Sequence, residues 1–432
     1  MTDQSKSFLF TTLEAGGVVA PTMTLARRLM ARGHRVRVMS DACSRAEIEK
    51  DGATFIPWTR APSRPTRDRK DDLFDDWAAS APGEGIMMLF DTVLVGPALK
   101  HAQDVMEELA REPADLVVCS EMLFGAQAGC EAAGVPFALL TVNTPFQPVP
   151  GAPPLGSGLA PARTDEERAL HAAILAGMHQ ALDSRLPALN AARAALGLAP
   201  IASLFDQCRA ADLSMAGTAR AFDFPVDALP PKLTYIRPLL GDPRWTQRWT
   251  DPFAPGDARP LVLVSFSTTF QNHAGALQRV LDALAGLPVR AVVTLGDAIR
   301  KDELTAPANV ALVDSAPHAE LMKQASLVVT HGGHGTVIKA LAAGLPMLIL
   351  PHGRDQGDNA IRVTARGAGL ALPNDAPSAE IAAALRRLLD EPSFTEAARR
   401  LGAEVAREAE QSPAVELLEQ LAGSAGRFPR AA

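Results

Sequence analysis

Two blocks of short apolar runs alternating with helical stretches predict an α/β protein with two parallel sheets of one general type. The alternation runs from Ser7 to about Leu140 and resumes from Leu261 to about Leu350. Between the blocks, residues 239–260 carry Pro243, Pro252, Pro255 and Pro260, the composition of an interdomain linker. The length of 432 residues suffices for two ordinary domains.

The elements follow in order. Ser7 to Leu13 reads as the first strand, Glu14-Ala15-Gly16-Gly17 as a turn, and a helix follows with Pro21 in its first turn, where the missing N–H costs nothing. Arg32-Gly33-His34 ends that helix, and Val36 to Met39 is a strand. Residues 57–82 read as a solvated loop, including the charge run Arg67-Asp68-Arg69-Lys70-Asp71-Asp72. Gly85 to Arg111 reads mostly as helix, Leu116 to Cys119 as a strand, Gly125 to Ala133 as a helix and Pro136 to Leu140 as a strand. Thr141 to Pro161 is a long loop rich in proline and glycine, and Thr164 to about Leu196 is helical. In the second block Leu261 to Phe266, Val289 to Leu295 and Val310 to Val313 are strands. Helices are expected over Asn359 to Arg366, over Pro377 to Asp390 and on to about Ala422, with a frayed tail from Gly423.

Composition narrows the function classes. A net charge of −7 leaves no basic surplus for nucleic-acid phosphates. Hydrophobic residues make up 47%, enough to fill a core in each half. The four cysteines, Cys43, Cys119, Cys130 and Cys208, are scattered, as suits a reducing cytoplasm. The start, Met1 to Lys6, lacks the features of a signal peptide, and no apolar run is long enough to span a bilayer, so no integral membrane segment is expected.

The chain is organised around Ser326-Leu327-Val328-Val329-Thr330-His331-Gly332-Gly333-His334-Gly335-Thr336. Leu327 to Val329 is a strand that breaks at glycines. A helix then runs from Thr336 to about Ala343, Gly344 stops it, and Met347 to Leu350 is the next strand. In a parallel sheet this strand-to-helix turn lies on the ligand-binding edge. Gly332, Gly333 and Gly335 lack Cβ, so a bulky anion can approach the backbone. The N–H groups of Gly335, Thr336 and Val337 are expected to open the helix unpaired and, with the helix dipole, to favour a phosphate. His331 can add a ring N–H. The alternative is a plain glycine turn with a structural histidine.

The stretch from His331-Gly332-Gly333-His334-Gly335-Thr336 through Ala342-Ala343-Gly344-Leu345-Pro346 to Asp355-Gln356 resembles the nucleotide-sugar signature of the UDP-glycosyltransferase superfamily, the family 1 enzymes of GT-B fold. It is most similar to bacterial members acting on natural products. The resemblance implies two Rossmann-like domains facing each other across a cleft: an acceptor-binding domain over 1–238, the linker 239–260, a nucleotide-sugar domain over 261–405, and a last helix and tail, 406–432, packing back on the first domain. It implies a hexosyltransferase-type enzyme that moves a sugar from a UDP- or dTDP-sugar to a small, lipophilic acceptor. Inversion, no metal ion and no cofactor are expected. His331, Gly332, Gly333, Gly335 and Thr336 are assigned to the diphosphate, and Asp355 and Gln356 to sugar hydroxyls; the alternative for that pair is a loop-to-helix cap. Ser315, Ala316 and Pro317 are assigned to the nucleobase. Ser267 and Thr268 are assigned to a second phosphate contact; the alternative there is capping of a helix after Asn272.

Three departures stand out. Val18 occupies the place of the family's basic histidine, and Ser120 that of the aspartate that holds it. Lys339 occupies the place of the family's ribose-binding glutamate. Replacement bases are Glu121, the first choice, and Glu14, both after strand C-termini. The alternatives are helix capping by Glu14, a surface carboxylate at Glu121, or an acceptor that arrives ionised. Two rival classes remain: a non-catalytic nucleotide-sugar-binding or auxiliary protein, and an epimerase or hydrolase of the same fold.

Overall fold

The structure is a computed structural model, and it describes residues 5–79, 83–241, 249–267 and 269–424. Two parallel sheets carry the chain. The first holds β1 (Ser7–Thr11), β2 (Arg35–Ser40), β3 (Thr54–Pro57), β4 (Leu116–Ser120), β5 (Phe137–Thr141), β6 (Leu213–Ala216) and β7 (Leu233–Tyr235), in the order β3-β2-β1-β4-β5-β6-β7. The second holds β8 (Leu261–Ser265), β9 (Arg290–Thr294), β10 (Val310–Val313), β11 (Leu327–Thr330), β12 (Met347–Ile349) and β13 (Gly369–Ala371), in the order β10-β9-β8-β11-β12-β13. Every pairing is parallel, with Phe10 beside Val38 and Val118 in one sheet and Val329 beside Val264 and Leu348 in the other. The strand order reverses at β1 and at β8. Loops leaving the strand C-termini there diverge to opposite faces and leave a crevice.

Because helices cover both faces, the central strands are near-continuous apolar runs: β1, β5 and β8 are buried throughout. The strands missing from the sequence reading are β3, β6, β7 and β13. They have only three or four residues each, too few for a periodic signal. The helical stretch from Gly85 is broken into Glu84–Leu89, one π turn over Phe90–Leu94, and Ala98–Arg111. The stretch from Thr164 is two helices, Asp165–Asp183 and Leu186–Ala195. The first opens with a capping box: Thr164 Oγ1 accepts the Glu167 N–H at 3.2 Å and the Glu167 carboxylate accepts the Thr164 N–H at 3.1 Å. Among the described residues no helix is long and apolar enough to cross a membrane.

The boundary expected at 405 falls inside the helix Pro392–Glu410; the chain leaves it at Gln411. The next helix, Ala414–Ser424, places Ala414, Val415, Leu418 and Ala422 in the same apolar cluster as Phe8, Met23, Leu25 and Val118. Glu419 adds contacts to Arg32 and His34, both at 2.8 Å. Residues 242–248 of the expected linker lie outside the described residues. On their C-terminal side Trp249 and Phe253 pack against the core of the second half.

One close packing bears on the site. The helix Pro392–Glu410 lies against the helix His334–Ala342 at Gly402, where an added Cβ would sit 1.9 Å from the Leu341 carbonyl oxygen. Gly402→Ala is therefore expected to lower stability by about 1–3 kcal/mol, through overpacking against backbone. Thermal denaturation checks this; a melting temperature within about 1 °C of wild type would contradict it.

Candidate active site

The glycine turn after β11 is built by close approach. Gly332 has φ of +96°, and a Cβ there would meet Ile349 Cγ2 at 2.8 Å. At Gly333 a Cβ would meet His331 Nε2 at 2.6 Å. So the imidazole is tucked beneath the turn, and His331 is only 8% exposed. The helix starts at His334, two residues before the expected start, with Gly333 as its N-cap. The reason is that Thr336 and Val337 both give their N–H groups to Gly333 O at 3.1 Å. The expected donor set is thereby corrected. The N–H groups left without intrahelical partners at the mouth are those of His334 and Gly335, with the Thr336 hydroxyl beside them.

This helix start faces an interdomain cleft that is open to solvent. From the second half the walls are Ser265 to Ser267 after β8, Thr294 to Asp297 after β9, Asp314 to Ala316 after β10, and His334 to Thr336 with Lys339. From the first half they are Glu14, Gly17, Val19 to Pro21, Glu47, Arg64 and Arg67. Ser267, Ser315, Ala316, Gly335 and Thr336 thus line one space. Pro317 instead caps the short helix His318–Leu321, and Gly332 and Gly333 lie behind the turn. Ser267 Oγ accepts the Thr269 N–H at 3.2 Å and Gln271 Nε2 at 3.0 Å; Thr268 lies outside the described residues. The helix after Asn272 begins at Ala274 without a side-chain cap.

Asp355 and Gln356 separate in role. Gln356 is buried; its Nε2 donates to Gln271 Oε1 at 2.8 Å and its Oε1 accepts the His352 N–H at 2.6 Å. Both ends of the amide are engaged internally, so the structure corrects the assignment of Gln356 to sugar hydroxyls. Asp355 is partly exposed. Its Oδ2 accepts Asn143 Nδ2 at 3.2 Å and Asn359 Nδ2 at 3.0 Å.

The candidate bases also separate. Glu121 is 2% exposed and does not line the cleft. Its carboxylate accepts the Thr141 hydroxyl, the Phe146 N–H at 3.0 Å and Gln147 Nε2 at 3.2 Å. Burial pushes its pKa up. The structure therefore corrects the first choice: Glu121 anchors the start of the 141–161 loop and is not a surface carboxylate. Glu14 lines the cleft, and also a smaller cavity walled by Trp58, Leu73, Phe74 and Phe270. Arg67 donates to Glu14 Oε2 at 2.9 and 3.1 Å and to Glu47 Oε2 at 3.0 Å. Asp41 supports this wall by accepting the N–H groups of Glu14 at 2.6 Å and Arg64 at 2.7 Å. Burial raises the Asp41 pKa to about 6.

Residues 278–421 match a family model described as the erythromycin biosynthesis protein CIII-like C-terminal domain. The 4'-demethylrebeccamycin synthase of Lentzea aerocolonigenes is 30% identical over 422 residues, 96% of this chain and 99% of that protein. The chain belongs to the UDP-glycosyltransferase superfamily. The calicheamicin glycosyltransferase CalG4 shares its fold with a TM-score of 0.74 at 21% identity, over 97% of this chain and 99% of that one. The glycosyltransferase VinC, solved in complex with dTDP, does so with a TM-score of 0.63 at 21% identity, over 98% and 100%. The fold is therefore GT-B and the protein is an enzyme of the sugar-transferring kind.

Membership in the superfamily sharpens what the sequence reading missed. Arg67 belongs to the charge run assigned to solvent, yet it bridges two carboxylates in the cleft wall; the run carried no signal of which member turns inward. Asn143 was one polar residue in a long loop. Its only signal was its position just beyond a strand C-terminus.

The histidine of the family turn is held neutral. Burial, reinforced by the neighbouring His273, His352 and Arg354, lowers the His331 pKa to about 3. It lies below the ordinary value of about 6.5, so the ring takes a proton only in strong acid and offers a dipole at neutral pH. Asp41, raised to about 6, lines the smaller cavity and not the cleft. Affinity for an intact sugar nucleotide is therefore expected to change less than about threefold between about pH 5.5 and 8, by titration calorimetry. Tenfold tightening on acidification would contradict a cleft whose charge stays fixed over this range.

Proposed function

We propose that the protein transfers a sugar from a dTDP- or UDP-sugar to a small, largely apolar natural-product acceptor, in the cytoplasm. The reaction inverts the anomeric carbon and uses neither metal ion nor cofactor. One observation carries this reading: a helix start with two unpaired N–H groups faces the carboxylate of Glu14 across a single cleft. The dTDP held by VinC and the natural-product names of the relatives support it.

The roles follow from the geometry. The N–H groups of His334 and Gly335, the Thr336 hydroxyl and the helix dipole hold the diphosphate and stabilise the charge it gains on leaving. His331 supports the turn from beneath. Ser315 and Ala316 wall the nucleobase end, and Asp355 accepts from sugar hydroxyls. Glu14 is the base. Arg67 holds Oε2, while Oε1 receives the Gly16 N–H at 3.3 Å, a long contact that leaves it available. The acceptor O–H proton passes to Glu14, the acceptor oxygen attacks the anomeric carbon, and the bond from that carbon to the diphosphate breaks. A second reading within the same fold is hydrolysis or isomerisation of the sugar nucleotide.

The test is mass spectrometry of products from sugar nucleotides and lipophilic acceptors, phenols among them. Glycoside formation is expected. Free sugar or isomerised donor alone would favour the second reading. Glu14→Gln is expected to lose turnover by about 100-fold while retaining nucleotide binding. Glu121→Gln should instead lower the melting temperature, since an NH2 group would face either the Thr141 and Phe146 donors or the Gln147 amide donor. Normal turnover in Glu14→Gln would remove Glu14 as base.

A further inference from the structure

With Gln356 engaged internally, a second polar group beside Asp355 comes from the other half of the molecule. Asn143 follows β5 by two residues and adjoins Val142, which lines the cleft. Its Nδ2 reaches Asp355 Oδ2 at 3.2 Å, from the acceptor half to the donor half. Both partners are held in place. Asn359, fully buried, spans Gly332 O at 2.9 Å and Asp355 Oδ2 at 3.0 Å, tying the carboxylate to the phosphate turn. On the other side Glu121 grips the Thr141 hydroxyl and the Phe146 N–H, so Asn143 sits on a short arch between anchored residues. The charge of Asp355 is felt by His334, the first residue of the phosphate helix. The pair therefore stands beside the turn proposed to hold the diphosphate, which is where the attached sugar is expected.

A carboxylate only accepts hydrogen bonds, whereas an amide both donates and accepts. A sugar hydroxyl, itself donor and acceptor, is matched by the two together and not by Asp355 alone. We propose that Asn143 is a specificity-determining residue for the donor sugar, a hydroxyl of which inserts between Asn143 and Asp355 and is held by both. This rests on the donor-site reading above. It also makes sugar recognition depend on both halves being closed on the cleft.

The experiment is titration calorimetry of wild type, Asn143→Ala and Asn143→Ser with dTDP and with dTDP-glucose, repeated with UDP and UDP-glucose. Melting temperatures establish that each variant is folded. Asn143→Ala is expected to weaken the sugar nucleotide by about 5- to 10-fold, the loss of one hydrogen bond at a polar site, while the free diphosphate changes less than about twofold. Asn143→Ser, which keeps a donor and an acceptor, should recover part of the loss. The ratio of affinities for dTDP-glucose and its C4 epimer should also shift in Asn143→Ala. Equal weakening of sugar nucleotide and free diphosphate, or no weakening of either, would show that Asn143 only straps the halves together, and would overturn the inference. If wild type binds none of these ligands, the donor-site reading fails and the inference falls with it. If wild type binds them and only the ratio stays fixed, the inference alone fails.

Discussion

The close approach of backbone at the turn after β11 is the constraint on which the site depends. Gly332 and Gly333 cannot carry a side chain there, because Ile349 and His331 occupy the space. That crowding brings the start of the helix His334–Ala342 to the cleft with two N–H groups unpaired. The same turn fixes its neighbours. Asn359 bonds Gly332 O and so holds Asp355, and Gly402 lets a second helix lie directly on Leu341. The proposed leaving-group site, the proposed sugar contact and the packing behind them thus share one short segment of chain.

The cleft exists only because the two halves meet in a defined way, and polar contacts carry much of that. Asp223 takes Arg362 at 2.7 Å and the Tyr235 hydroxyl at 2.7 Å. Arg354 reaches Asp76 at 2.7 Å and the Ala15 carbonyl at 3.3 Å. Asp358 accepts the N–H groups of Gly156 and Gly158, at 2.5 and 2.8 Å, and so docks the 141–161 loop onto the second half. Such partly buried pairs repay desolvation only when their geometry is good, so they contribute more to orientation than to net stability.

Much of this was legible in the residues, for physical reasons that can be named. Central strands buried on both faces are apolar runs, and Leu261 to Ser265 or Leu116 to Ser120 announce themselves. Leu233–Tyr235 and Gly369–Ala371 do not, because three residues have no period. The turn was legible from its glycines, but not the two-residue shift of the helix start, which Gly333 O sets by accepting two N–H groups. Asp355 and Gln356 are adjacent in one motif and look equivalent. Gln271 and His352 pull one inward, and neither partner is visible in the motif. Glu14 and Glu121 both follow strand ends, yet Thr141 and Phe146 draw Glu121 beneath the surface while Arg67 holds Glu14 at the cleft. Each of these outcomes is decided by a tertiary partner remote in sequence.

The most direct measurement is the crystal structure of the protein with dTDP bound. The account places the diphosphate within hydrogen-bond distance of the His334 and Gly335 N–H groups and the Thr336 hydroxyl, with the base toward Ser315 and Ala316 and Asp355 left beside the terminal phosphate. A diphosphate bound elsewhere in the cleft, or held by side chains with the helix start empty, would contradict it.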